Sequence, residues 1–141
     1  FQEDDRSASF PRISPDGRYL LYASSDCATF PVWHKKADMA MIDLQSKQRV
    51  DVSMLNSEES ESCHAWSSSG RWVVVGSRRL DGRFTRLYFA HIDANGVCTK
   101  PFLLPQQNPL HNTWRMKSYN VPEFILGEVK LPMDQVKKLF E

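Results

Sequence analysis

Two short runs in the chain are almost wholly apolar and are flanked by serine and glycine. They are YLLYA at 19–23 and WVVVG at 72–76. A helix is the competing interpretation, but β-branched and aromatic side chains and the flanking glycines favour strands. A continuous apolar run is typical of a strand that is buried on both faces. The sequence therefore predicts two central strands, each packed between neighbouring layers.

Both runs lie within longer segments that repeat one another. The segment FPRISPDGRYLLYAS at 10–24 aligns with CHAWSSSGRWVVVGS at 63–77, an offset of 53 residues from Phe10 to Cys63. Farther on, AMID at 40–43 aligns with AHID at 90–93, an offset of 50 residues, so one connecting loop differs in length. Two matches in the same order argue against chance and indicate two copies of one structural unit.

Each unit divides into four short strands separated by turn residues. The predicted strands are 9–13, 18–24, 38–44 and 48–54 in the first unit, and 62–66, 71–77, 85–92 and 97–104 in the second. The turn signals are SPDG at 14–17, SSG at 68–70 and DANG at 93–96, because proline presets φ and glycine accepts positive φ. Repeated four-stranded units of roughly 40–50 residues are typical of β-propeller blades. We predict an all-β fold with two four-stranded antiparallel blades, at about 8–55 and 61–105.

The residues from 106 to 141 differ in character and are predicted to form a tail that packs on or caps the blades. An edge strand is expected at 124–131, and Pro132 suits the first position of a short helix that ends near Phe140. We expect Phe124, Leu126 and Phe140 to cover blade surface.

Two blades do not close a propeller, which typically has four to eight. Two blades alone expose apolar sheet faces to water. The chain also begins with Phe1 rather than methionine. We therefore expect either the C-terminal part of a longer propeller, with the remaining blades as partners, or an association of several copies of this chain.

The segment FPRISPDGRYLLY at 10–22 resembles the repeat signature of TolB-like propellers, a WD40-like type common in bacterial envelope proteins. The second copy departs from that signature, with Ser68 and Ser69 where the first has proline and aspartate. Four further segments are similar to the last blades of uncharacterised TolB-like proteins from Bacteroidetes: WHK at 33–35, ESESCHAW at 59–66, SRRLDG at 77–82 and YNVPEF at 119–124. The resemblance covers about residues 8–105. It implies a periplasmic or envelope location and provides no catalytic motif.

Charge and composition exclude several classes of function. The 18 basic and 17 acidic residues leave a net charge of +1, which gives no basis for binding nucleic acid. No apolar run approaches the roughly 20 residues that span a bilayer. The cysteines at 27, 63 and 98 form no Cys-x-x-Cys pair, so a zinc knuckle is not expected.

Unusual side chains concentrate in connections that share one end of the predicted blades. In a four-stranded blade, the loops between the second and third strands lie at the same end as the links between blades. Here these are the loop at 30–36, the link at 58–64 and the loop at 78–86. Loops on a rigid scaffold commonly carry function. The candidate ligand-binding residues are Trp33, His34, Lys35, Glu61, His64, Arg78, Arg79 and Arg86.

The arginines in this set could bind a carboxylate or phosphate in forked geometry, and Trp33 could stack on a sugar or a cation. In the alternative interpretation the arginines pair with Glu59, Glu61 and Asp81, and Trp33 packs its loop against the neighbouring blade.

Signals for catalysis and cofactors are absent. There is no Gly-x-Ser-x-Gly elbow and no glycine-rich phosphate loop, and no local spacing supports a metal site at His34, His64 and Glu61. We therefore expect no cofactor and no metal. The favoured function is non-catalytic binding or scaffolding in the bacterial envelope, with a protein or carbohydrate ligand. The alternatives are part of a propeller hydrolase or lyase whose site lies partly on other blades, and a purely structural role.

Overall fold

The computed structural model describes residues 6–26 and 31–128, together with Lys130, Pro132 and Lys138. Within that part, the chain forms two four-stranded antiparallel sheets in which the strands follow chain order. The fold is therefore all-β, with two four-stranded blades of a partial propeller, as the repeat predicts. The sheets are called the first and second blade below.

The first blade consists of β1 (Ser7–Ile13), β2 (Tyr19–Ser25), β3 (Asp38–Asp43) and β4 (Gln48–Val50). The second consists of β5 (Glu61–Trp66), β6 (Trp72–Ser77), β7 (Arg86–His91) and β8 (Phe102–Leu103). Short 3-10 helices occupy Pro31–Trp33 and Ser53–Leu55, and one short helix, α1, spans His111–Trp114.

The two outer strands, β4 and β8, are shorter than predicted. After β4 the chain turns inward so that Val52 and Leu55 are buried in the core. Before β8, Cys98 pairs only through an isolated bridge with Ile92, and Pro101 has no N–H to donate to a longer ladder.

The repeated residues form the same turn in both blades. The backbone N–H of Ser14 donates to the carbonyl of Tyr19 at 2.8 Å, and that of Ser67 donates to the carbonyl of Trp72 at 2.8 Å. Each serine hydroxyl accepts the return bond, from the N–H of Tyr19 at 2.9 Å and from that of Trp72 at 3.1 Å. The glycine three residues after each serine has a positive φ, +74° in the first blade and +66° in the second. These requirements of the turn explain why serine and glycine recur.

The core lies between the two blades. The second and third strands of each blade direct alternate apolar side chains to this interface, and the inner strand β5 packs across β1, β2 and β3. The runs in β2 and β6 are buried on both faces over most of their length, as predicted. The buried cluster consists of Tyr19, Leu21, Met39, Met41, Val52, Leu55, Val73, Val75, Ala90, Ile92 and Cys98.

The two outer sheet faces differ in exposure. On the first blade, Tyr22 and Ile42 point away from the second blade and are nevertheless buried. On the second blade, Trp72 is 41% exposed and Phe102 is 47% exposed. Their rings meet edge to face, with centroids 6.2 Å apart. The outer face of the second blade therefore carries an exposed aromatic pair, whereas on the outer face of the first blade Ile13, which pairs with Leu20 in the sheet, is 58% exposed.

The tail packs on the second blade. The backbone N–H of Tyr119 donates to the carbonyl of Thr85 at 3.0 Å, and the ring of Phe124 meets that of Phe89 at 5.8 Å. Phe124 thus covers blade surface as predicted.

Other details of the tail differ from expectation. No strand forms over residues 124–128, and Leu126 is 94% exposed rather than packed on a blade. Gly127, at φ +127°, interrupts the extended conformation that an edge strand needs. The helix expected between Pro132 and Phe140 lies outside the described residues, apart from Pro132 and Lys138.

Candidate functional site

Hydrogen bonds to backbone carbonyls join the three predicted connections at one end of the blades. The hydroxyl of Ser60 donates to the carbonyl of Pro31 at 2.9 Å, and the N–H of Arg78 donates to the carbonyl of Ser60 at 3.0 Å. The N–H of Glu61 donates to the carbonyl of Ala37 at 2.8 Å. The loop at 31–37, the link at 51–60 and the loop at 78–85 therefore lie together, as topology predicts.

A cavity of about 480 Å³ opens beside these loops. Its volume lies within the range typical of small-molecule sites, about 300–1,000 Å³. The walls come from the loops, the inner strands β1 and β5, and the tail. The lining residues are Phe10, Trp33, Ser62, Cys63, Arg78, Thr85, Ser118, Tyr119, Asn120 and Val121.

Trp33 and Arg78 both line this cavity and contact each other. Trp33 is 71% exposed, and the guanidinium carbon of Arg78 lies 5.3 Å from the centroid of its ring. That distance allows a cation–π interaction, which orients the guanidinium without using its N–H donors. The Nε of Arg78 is buried and has no hydrogen-bond partner. Within the described part of the chain, the guanidinium makes no ion pair or hydrogen bond.

Arg79 and Arg86, by contrast, are committed to the protein. Arg79 donates to Glu61 at 3.0 Å and to the carbonyl of Leu55. Arg86 is fully buried and lies 3.5 Å from the carboxylate of Asp81. These two arginines follow the alternative interpretation, in which acidic residues neutralise them.

Arg86 also anchors the tail. Its guanidinium donates to the carbonyls of Asn112, Arg115 and Lys117 at 3.0, 2.6 and 3.1 Å. These three carbonyls bind one buried guanidinium. The guanidinium therefore holds this part of the tail against the start of β7. In this structure, the burial of Arg86 leaves it out of a ligand's reach.

Glu61 is fully buried at the start of β5, where the link enters the second blade. Its carboxylate accepts hydrogen bonds from the hydroxyls of Ser57 at 2.7 Å and Ser77 at 2.8 Å, besides the contact with Arg79. Burial raises the pKa of Glu61, whereas these hydroxyls and the charge of Arg79 act to lower it. The network joins the link to the end of β6.

The remaining candidates do not converge. His64 is buried between the blades, with its Nε2 at 3.0 Å from the carbonyl of Leu21. His34 is half-buried in the loop, and the exposed Lys35 pairs with Glu59 at 3.2 Å. Among the described residues, no group of three His, Cys, Asp or Glu side chains is arranged to hold a metal ion.

Several cavity residues were not predicted as site residues. Phe10 and Cys63 occupy equivalent positions in the repeat, and each lies where the register of its inner strand shifts at a β-bulge. Bulges frequently lie next to functional sites, because they redirect a side chain. The repeat alignment pairs these two residues and could have pointed to them. The tail residues 118–121 carry one signal, the segment YNVPEF that begins at Tyr119.

No protein-family model matches this chain, and no curated protein or solved structure matches it at a significant level. No helix in the described ranges has both the length and the apolar character that a membrane crossing requires. The assignment of function therefore rests on the geometry of the cavity and on the sequence.

Proposed function

We propose that this chain is a non-catalytic binding module of a bacterial envelope protein, built from blades of a TolB-like propeller. Its ligand, a protein or a carbohydrate, occupies the cavity beside Trp33 and Arg78. The observation that carries this proposal is an exposed tryptophan at a cavity of about 480 Å³, with an arginine over its ring whose guanidinium pairs with no described residue. Ligand sites are typically concave and mostly apolar, with a few polar groups that orient the ligand.

The family and the location are proposed on the resemblance of FPRISPDGRYLLY to the TolB-like repeat signature. The turn that both blades share supports this proposal, because the serine and glycine of the signature have the same structural role in each copy. The periplasmic or envelope location follows from that resemblance alone.

The chemistry of the cavity supports binding over catalysis. The ionisable side chains among its described lining residues are Cys63, Arg78 and Tyr119. General acid–base chemistry most often uses histidine or a carboxylate. The predicted site residues Glu61 and His64 do not line the cavity, and both are buried and hydrogen-bonded to the protein.

A second partner is proposed at the outer face of the second blade, where Trp72 and Phe102 are exposed. Either a further blade or a second copy of this chain covers it, because propeller blades bury their faces against neighbours. Light scattering over a concentration series tests this proposal. A stable, soluble monomer of 16.3 kDa at high concentration would contradict both versions.

The binding proposal is tested with a panel of oligosaccharides and peptides, screened by ligand-observed NMR against the 141-residue chain. Trp33→Ala removes the ring at the cavity. Trp114→Ala is the matched control, because Trp114 is 68% exposed, lies in α1 and is not one of the residues that line the cavity. We expect binding to be lost in Trp33→Ala and retained in Trp114→Ala. Equal binding by both variants, or no binding by the wild type to any member of the panel, would contradict the proposal.

A further inference from the structure

The cavity has one cation and no anion among the described residues that line it. Arg78 is the cation, and the other groups are apolar rings, hydroxyls, one thiol and one amide. We infer that the ligand is an acidic oligosaccharide, whose uronic acid carboxylate binds Arg78 while a sugar ring packs on Trp33. This inference rests on the proposed function, since it names the class of ligand for the same cavity.

The unused hydrogen-bond donors of Arg78 favour a carboxylate as the ligand group that this residue binds. Its neighbour Arg79 and the buried Arg86 each donate several hydrogen bonds to the protein, whereas the guanidinium of Arg78 donates none within the described part of the chain. The Nε of Arg78 is buried and out of a ligand's reach, so the two terminal NH2 groups of the guanidinium, which are not buried, are the donors that remain for a ligand in the cavity. The planar fork of a guanidinium matches a carboxylate through two parallel hydrogen bonds. The contact with Trp33 holds the fork at the cavity wall.

The other walls suit a sugar ring. The exposed face of Trp33 offers a flat apolar surface for the C–H groups of a pyranose, and Phe10 and Tyr119 add further apolar surface. Ser118 and Asn120 also line the cavity and are exposed, so their hydroxyl and amide can bond to sugar hydroxyls. An apolar platform beside neutral polar groups matches the amphipathic surface of a saccharide.

An acidic peptide fits this place less well. A peptide commonly binds by adding a strand to a free sheet edge, and β1 and β5 are edge strands of their sheets. Both strands change register beside the cavity, between Ser9 and Arg12 and between Glu61 and His64. A bulge disrupts the regular ladder that an added strand would need. The inference therefore commits to the saccharide.

The test is isothermal titration of the 141-residue chain with trimers of galacturonate, glucuronate and mannuronate, and with the methyl esters of each. The ester keeps the ring and removes the charge. We expect at least one acid to bind tenfold or more tightly than its ester, equal to about 1.4 kcal/mol. Arg78→Gln should abolish that difference, Arg78→Lys should reduce it, and Trp33→Ala should weaken acid and ester alike.

Arg83→Gln is the matched control, because Arg83 is an exposed arginine that does not line the cavity. It should keep the preference for the acid, and circular dichroism should show the same fold in every variant. Equal affinity for acids and esters would overturn the inference while leaving a binding module. If tetra-glutamate binds in a Trp33-dependent way and no acid trimer binds, the inference is also overturned, while the proposed binding module remains. If no saccharide or peptide binds, the inference and the proposed function both fail.

Discussion

His64 makes the stability of this chain depend on pH, because it is a histidine buried between two blades. Its Nε2 donates to the carbonyl of Leu21 at 3.0 Å, and its Nδ1 has no partner at normal hydrogen-bond geometry among the described residues. Burial disfavours the charged ring and lowers the pKa of His64 from 6.5 to about 4. Hydrogen bonds with the backbone at Leu21 and Ser62 raise this pKa in part, and the positive charge of Arg12 has the smallest effect, which lowers it.

The sign and size of the effect follow from the two states of the chain. Below about pH 6.5 the unfolded chain binds a proton at this histidine, whereas the folded chain binds it only near pH 4. The contribution of His64 to the free energy of unfolding is therefore largest above pH 6.5 and falls as the pH drops. The slope reaches about 1.4 kcal/mol per pH unit, which amounts to about 3 kcal/mol in all by pH 4.

The assay is urea unfolding, followed by tryptophan fluorescence at pH 7.5, 6.5, 5.5 and 4.5, for wild type and His64→Gln. Glutamine keeps an N–H donor for the carbonyl of Leu21 but does not titrate. The stability advantage of wild type over the variant should be constant above pH 7 and should shrink by about 2 kcal/mol between pH 6.5 and 4.5. Acidic groups that titrate equally in both proteins cancel in the difference. A difference that stays constant down to pH 4.5 would refute a lowered pKa at His64.

Three other predictions concern the packing of the core, the anchoring of the tail and a tight glycine contact. Leu21→Ala removes a fully buried side chain from the core and should lower the free energy of unfolding by about 2–5 kcal/mol in urea titrations. Arg86→Met leaves backbone carbonyls of the tail without their donor, so trypsin should cut after Lys117 several times faster; an unchanged rate would contradict the anchoring role. Gly96→Ala brings a methyl group to 3.1 Å from Val50, whereas Gly17→Ala, also at positive φ, meets nothing within 4 Å. Gly96→Ala should therefore lower the free energy of unfolding by about 1–3 kcal/mol more than Gly17→Ala. An equal loss of stability in the two variants, measured by thermal unfolding, would contradict the overpacking at Gly96.

The blades were predictable because their signals are local. Each turn needs a serine whose hydroxyl bonds to an N–H five residues on, and a glycine at positive φ, and both appear in the repeat. The outer strands were less predictable, because burial against the other blade decides where they end. Leu55, for example, lies in a short 3-10 helix after β4 instead of continuing that strand, and it is fully buried in the core.

The site was predictable only in part. Topology places Trp33 and Arg78 at one end of the blades, and the structure joins their loops. Arg78 and Arg79 are adjacent and chemically alike, so composition could not tell which one pairs with Glu61. The wall formed by residues 118–121 depends on a long-range contact between Tyr119 and Thr85, for which no local pattern exists.

The most direct test of the proposed binding site uses the indole N–H signals of the four tryptophans in a ¹⁵N-labelled chain. Titration with the acidic trimers should move the signal of Trp33, which lines the cavity, and leave that of Trp114 in place. A Trp33 signal that stays fixed, or a shift of equal size at Trp114, would contradict a ligand site at the cavity.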